Sequence, residues 1–393
     1  MTRLPACFFA VLLLGSTYSA QAAWLADPEI AERRLIEVID AVEAGAGDDA
    51  MELAASLAQD YPTFQLAQLV YADLLAAQGG AAVAISSSDR ETLDHLRAEA
   101  RARRSFASPE IEDSLVASNL IKLADTYRYA LVFELEKSRL FVFENDNGVP
   151  RLSNHYYISI GKAGIDKHVE GDNKTPLGVY RVTNYLPDET LPELYGAGAY
   201  PINYPNSWDR LHGKTGYGIW LHGVPRSTYS RPPLDSEGCM VVSNINLEAI
   251  GRQIDVSHTP VVLTPTIQWL PVQEMQEIRD TVAARFARWR SDWTALDVDA
   301  YLSHYSTEFN NQKHDFASWS AHKRNVALGK TFVDVSADEV DVFLYPDSSS
   351  QKELIVVQFV QTYRSNNFNS VSRKQQFWQR EIDGEWRIVY EGA

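Results

Sequence analysis

Cys239 and His222 are the two residues of this chain whose types and spacing could carry covalent chemistry. A deprotonated thiol attacks carbonyl carbon, and an imidazole is the side chain that takes such a proton near neutral pH. The histidine opens His222-Gly223, seventeen residues before the cysteine, which closes Ser236-Glu237-Gly238-Cys239. Cysteine is scarce here, with two among 393 residues. The other, Cys7, lies in a stretch with the form of a secretory signal: Arg3, then apolar Phe8 to Leu14, then Ala20-Gln21-Ala22 as a cleavage pattern. Cys7 precedes the apolar run, which argues against a lipid anchor. Removal of residues 1–22 leaves Cys239 as a lone thiol in an oxidising compartment. Such a thiol is either buried and inert or kept for its reactivity.

The surroundings favour reactivity. His222 ends a strand-like run, Gly218 to His222, and a loop with Arg231-Pro232-Pro233 leads back toward Cys239. Gly238 removes side-chain bulk beside the thiol, so backbone N–H groups around Glu237 to Cys239 are expected to face a substrate oxygen. Zinc is not expected, since one cysteine and scattered histidines lack the spacing of a ligand set. Weaker candidates surround the pair. Tyr195, Tyr200 and Tyr204 precede the histidine strand, and one of them is a candidate wall of an acyl pocket. His212-Gly213 repeats the histidine–glycine step without a matching cysteine and reads as a loop near the cleft. Arg226 and Arg231 lie between the two reactive residues and are candidate partners for a substrate carboxylate. Lys174 reads as a loop charge.

The elements that must position these residues fall into three regions. Residues 23–126 are expected to be helical, with breaks at Gly45-Ala46-Gly47, Tyr61-Pro62, Gly79-Gly80 and Ser86-Ser87-Ser88. Their helix–loop–helix rhythm loosely resembles one tetratricopeptide unit, too little for an array. The Arg101, Arg103 and Arg104 cluster reads as a solvated helix end. Residues 127–265 are β-rich, beginning with a hairpin of Ala130–Leu135 and Arg139–Phe143. Residues 266–393 open with an amphipathic helix from Met275 to Leu296 that carries Val282, Phe286, Trp289 and Trp293. A further helix, Val298 to Tyr305, precedes strands over 333–344, 353–364, 370–381 and 386–390. The chain is thus read as multidomain α+β.

A formal net charge of -16 excludes long-range attraction to nucleic acid, and no basic run with interleaved aromatics offsets it. After residue 22 no apolar run is long enough to span a bilayer. The signal implies an exported, periplasmic location, and the oligomeric state is not legible.

Residues 127–265 resemble an L,D-transpeptidase catalytic domain of the YkuD type, on three segments: Lys174-Thr175-Pro176-Leu177-Gly178-Val179-Tyr180, His222-Gly223 and Ser236-Glu237-Gly238-Cys239. The resemblance implies that Cys239 is the nucleophile and His222 its base, with Gly223, Ser236, Glu237 and Gly238 shaping the site or its oxyanion hole. Arg226, Arg231, Tyr204, Tyr200 and His212 are the implied substrate-binding candidates. The family's second histidine is replaced by Glu237, and its arginine two residues past the cysteine by Val241. These departures point to a divergent branch that includes L,D-carboxypeptidases. The implied substrate is a peptidoglycan stem peptide, cleaved between diaminopimelate and D-alanine without metal or organic cofactor. The acyl acceptor is an amine or water, and a wall-binding scaffold without activity is the alternative from another class. Residues 266–393 resemble nuclear transport factor 2-like domains, a cone of helices on a curved sheet. The implied role is accessory binding of wall material or of a wall-associated protein.

Overall fold

The computed structural model describes residues 30–79, 87–105, 111–112, 114–346 and 352–392. The expected signal segment, Cys7 and Ser86 lie outside them. Four helices open the described chain: α1 (Ile30–Glu43), α2 (Gly47–Asp60), α3 (Gln65–Gln78) and α4 (Ser87–Arg104). Leu35 and Val38 of α1, Leu57 of α2, Leu66 of α3 and Leu96 of α4 close on Phe64 to form one small core. Gly45 makes the first break because the chain there takes φ +72°, a conformation glycine adopts without penalty.

Helix ends at Arg104, so the helical expectation over 23–126 is corrected for its last part. Leu115–Ala117 and Leu120–Lys122 are strands. The first pairs with Trp269–Pro271, and the second joins the edge of the C-terminal sheet beside Val333–Leu344. Val116 and Ile121 are buried in the C-terminal core. Three-residue runs carry no legible period, and their strand state comes from partners far along the chain.

The central unit is built on a five-stranded sheet in the order Val149–Tyr157, Arg139–Asp146, Tyr129–Glu134, Pro260–Thr264, Gly178–Arg181. Its middle strands are apolar without interruption because both faces are covered. Leu131, Phe133, Leu140 and Val142 face the core beneath the reactive residues. Their alternates Ala130, Val132, Phe141 and Phe143 face a second core, shared with Phe343, Val356 and Phe377 of the C-terminal unit. A smaller sheet, Met240–Val241, Trp220–His222 and Ala199–Pro201 in that order, carries His222.

In the C-terminal unit, helices Val272–Thr294, Val298–Ser303 and Phe316–Leu328 pack on a five-stranded sheet. Val282, Phe286 and Trp289 recur at helical spacing and bury against Val357 and Phe359. Phe316–Leu328 has no counterpart in the sequence reading, because Trp319 is the one residue it buries. Asp315 caps its N-terminus by accepting the Ser318 N–H at 2.8 Å. The central and C-terminal units lock where Trp208 stacks on Phe377, with ring centroids 4.5 Å apart. Beside that stack Asn206 donates to the Tyr345 hydroxyl at 3.0 Å.

Candidate active site

Parallel pairing sets the two candidate residues on neighbouring segments of one sheet. Met240 lies opposite Leu221 and Val241 opposite His222. Extended one step, this register sets Cys239 level with Trp220, two residues from His222 and therefore on the same face of the sheet. His222 is 3% exposed. Its Nδ1 lies 2.7 Å from the Gly223 carbonyl oxygen. A carbonyl only accepts, so the neutral ring carries its proton on Nδ1 and keeps its lone pair on Nε2. The Cys239 thiol is half-buried and donates weakly to the Gly218 carbonyl at 3.4 Å.

Burial dominates the electrostatics of both groups. It pushes the Cys239 thiol up to about 11, against the opposing pull of the Trp220 backbone N–H and the Arg231 guanidinium. Burial also pulls His222 down to about 4, and the Gly223 hydrogen bond only partly offsets it. The resting pair is therefore an uncharged thiol and an uncharged imidazole across the neutral range.

The nucleophile loop is braced from behind. Thr175, fully buried, donates to the Gly238 carbonyl at 3.0 Å and accepts the Gly161 N–H at 2.9 Å. Gly238 takes φ +125°, and a Cβ there would lie 2.7 Å from the Lys174 carbonyl oxygen. Only glycine fits that approach. Lys174, read from sequence as a loop charge, thus also contributes its backbone to this packing. Ser236 accepts the Gly238 N–H at 3.1 Å and donates to the Cys239 carbonyl at 2.7 Å. The Gly238 N–H is consequently engaged within the loop, which narrows the expected oxyanion donors around Glu237 to Cys239 to the other N–H groups of that segment. Gly223 is equally committed: its N–H donates to the Tyr195 carbonyl at 3.1 Å. A Cβ on Gly223 would lie 2.1 Å from Asn244 Oδ1. Asn244, missed in the sequence, accepts the N–H groups of Ala197 and Val224 at 3.0 and 3.1 Å. It holds the turn after His222 in place. Nothing but its position five residues past the cysteine marked it.

Of the three tyrosines, Tyr195 is the one at the site. Its ring meets the His222 ring edge-on at 4.9 Å, and the charge of a Cys239 thiolate acts on its hydroxyl. Tyr200 packs instead on Tyr185 at 4.9 Å, and Tyr204 donates to the Thr215 carbonyl at 3.0 Å within the core. Both are core residues, and neither is brought to the thiol–imidazole pair. His212 packs on Trp208 at 4.4 Å and belongs to the junction with the C-terminal unit. Arg226 is occupied by Asp188 and by Glu193 at 3.0 Å. Among the described residues the Arg231 guanidinium makes a long 3.5 Å bond to the Asp235 carbonyl, and it acts electrostatically on both Cys239 and His222. Glu237 is 86% exposed on its side chain and lies 3.8 Å from Lys162 Nζ at the rim.

The two sequence segments that meet at this pair, with the glycine, serine and threonine that hold them, decide the relationship. Residues 128–263 match the L,D-transpeptidase catalytic domain. Residues 281–392 match the Cds6 C-terminal NTF2-like domain. The structure of Bd1075 from Bdellovibrio bacteriovorus is 27% identical, covering 71% of this chain and 97% of its own, with a TM-score of 0.61. The helical cell shape determining protein Pgp2 from Campylobacter jejuni is 24% identical, covering 70% of this chain and 94% of its own, with a TM-score of 0.61, and shares the fold. Comparison with curated proteins gives no match. The chain thus joins an L,D-transpeptidase-type domain to an NTF2-like domain. Among the described residues no helix is long and apolar enough to cross a membrane.

A cavity of about 330 Å³ lies in the NTF2-like domain. Trp293, Tyr301 and Tyr363 line it together with Lys323, Lys330 and Lys374. Lys323 Nζ lies 4.6 Å from the Trp293 ring centre and 4.4 Å from that of Trp319. Trp289 is core, as the helical spacing indicates, whereas Trp293 is cavity wall.

Proposed function

We propose that this protein is an exported peptidoglycan L,D-transpeptidase that uses Cys239 as nucleophile and His222 as general base. The observation that carries the reading is the 2.7 Å contact of His222 Nδ1 with the Gly223 carbonyl, which leaves Nε2 free to accept a proton on a strand paired with the one that begins just after Cys239. The sulfur attacks the carbonyl carbon on the L-centre of diaminopimelate while Nε2 takes the thiol proton. The C–N bond to D-alanine then breaks, and the imidazolium returns that proton to the departing amine. A thioester to Cys239 remains. An incoming amine attacks it, loses a proton to Nε2, and the sulfur leaves and is reprotonated. Glu237, exposed at the rim, suits a cationic acceptor.

Water in place of the amine makes the same site an L,D-carboxypeptidase. Val241, buried where the family carries arginine, favours this second reading by removing a cation for an acceptor carboxylate. The cavity with Lys323, Lys330 and Lys374 among aromatic rings supports accessory binding of anionic wall fragments by the NTF2-like domain.

Mass spectrometry of products from defined tetrapeptide muropeptides tests the assignment. Crosslinked dimers support transpeptidation, and tripeptide monomers alone replace it with carboxypeptidase action. Unchanged substrate, with unchanged cellular function in Cys239→Ala, would leave only a wall-binding scaffold.

A further inference from the structure

The loop between the His222 strand and Cys239 is fastened to the N-terminal helical unit at Tyr229 and Ser230, and at Arg231 through Tyr157 of the central sheet. The Tyr229 N–H donates to the Thr63 carbonyl at 3.1 Å, and its ring packs on Phe64 at 4.5 Å and on Tyr61 at 5.6 Å. Ser230 donates to Glu99 on α4 at 2.6 Å. The Arg231 carbonyl accepts the Tyr157 hydroxyl at 2.9 Å, and the guanidinium of Arg103 covers that tyrosine ring at 4.0 Å. Arg103 is not the solvated helix end its sequence suggests. It is 3% exposed and pairs with Glu99 at 2.8 Å and with Glu32 at 3.3 Å. Glu32 in turn binds Arg139 of the central sheet at 2.5 Å. Neither matched family region, 128–263 or 281–392, includes these helices.

We propose that the N-terminal helical unit is a clamp on this loop, and that it holds Arg231 beside the thiol–imidazole pair as the anchor for the terminal carboxylate of the stem peptide. The inference rests on the peptidoglycan reading and adds to it a substrate contact and the residues that position that contact. Arg226, the loop's other arginine, is neutralised by Asp188 and Glu193, whereas the Arg231 guanidinium makes a long bond to the Asp235 carbonyl and its charge reaches both Cys239 and His222. Tyr229, Ser230, Glu99 and Arg103 are positioning residues that act through Arg231. A buried Arg103–Glu99 pair suits this role because its geometry is fixed and its disruption is costly.

The test compares a tetrapeptide donor bearing a free terminal carboxylate with its terminal amide. Arg231→Ala is expected to raise KM for the free acid about 10- to 100-fold and to erase the preference for acid over amide. Ser230→Ala, alone and with Tyr229→Leu, is expected to raise KM for the acid about 5-fold, to spare the amide, and to add nothing in the Arg231→Ala background. Ser230→Thr, which keeps the hydroxyl, should restore wild-type KM. Amide hydrogen exchange over residues 224–238 should quicken in the Ser230 and Tyr229 variants while the unfolding temperature stays within a few degrees. Equal losses on acid and amide, or full additivity with Arg231→Ala, overturn the role of the clamp. Unchanged loop exchange overturns the clamp itself. A wild-type protein that turns over neither donor and forms no Cys239 adduct overturns the functional reading, and the substrate contact with it.

Discussion

Tyr195 sets its ring edge-on against His222, centroids 4.9 Å apart and planes at 76°. This contact excludes water from the imidazole and is part of why burial holds His222 near 4. Tyr195→Ala should hydrate the ring and let its pKa rise toward 6.5. The acid limb of kcat/KM would then move to higher pH, with a loss of about 4-fold at pH 6 and little change above pH 7.5. Tyr195→Phe keeps the ring and should leave the profile in place. A pH–rate series on the two variants checks both expectations.

A thiol held up to about 11 beside an imidazole held down to about 4 is not a resting ion pair. Without substrate, alkylation of Cys239 by iodoacetamide should stay slow at pH 7 and rise continuously through pH 9. A resting thiolate–imidazolium pair would instead give a plateau from below pH 7. Rates across pH 5–10, read by intact mass, separate the two states.

Acid should weaken the fold through the same burial. His222 and His155 are both lowered to about 4. Unfolded histidine titrates near 6.5, so between 6.5 and 4 the unfolded chain binds more protons than the native one. Stability is therefore intact above about pH 6.5 and falls as pH drops toward 4, by on the order of 3 kcal/mol for each residue. Denaturant midpoints at pH 7.5 and 4.5 measure the loss, and His155→Gln should reduce it.

Thr175 holds the nucleophile loop through two hydrogen bonds made by one hydroxyl. Thr175→Val keeps the volume but strands the Gly161 N–H and the Gly238 carbonyl, at a cost of about 2–3 kcal/mol. Thr175→Ser should recover most of it. Urea unfolding, together with kcat/KM, shows whether stability and activity fall in step.

The candidate pair stood out because covalent chemistry admits few side-chain types, and Cys239 had no competitor once Cys7 was set aside. The L,D-transpeptidase resemblance was legible for a related reason: glycines such as Gly238 and Gly223 are demanded by close backbone approaches. The NTF2-like unit was legible from the helical spacing of Val282, Phe286 and Trp289 ahead of a run of strands. Tyr195 could not be told from Tyr200 and Tyr204, because which tyrosine faces the cleft is decided by tertiary packing. Arg103 looked solvated, since its counter-charges, Glu99 and Glu32, lie in the sequence as ordinary surface acids. Leu115–Ala117 and Leu120–Lys122 were hidden because their partners, at 269–271 and 342–343, lie far along the chain.

On this reading the sulfur of Cys239 carries the wall fragment. Intact-protein mass spectrometry after exposure to a carbapenem, whose strained lactam acylates an active thiol, tests it most directly. The expected result is one adduct on the wild-type protein, mapped to Cys239 and absent from Cys239→Ala. An adduct that persists in Cys239→Ala, or a wild-type protein left unmodified, would contradict the account.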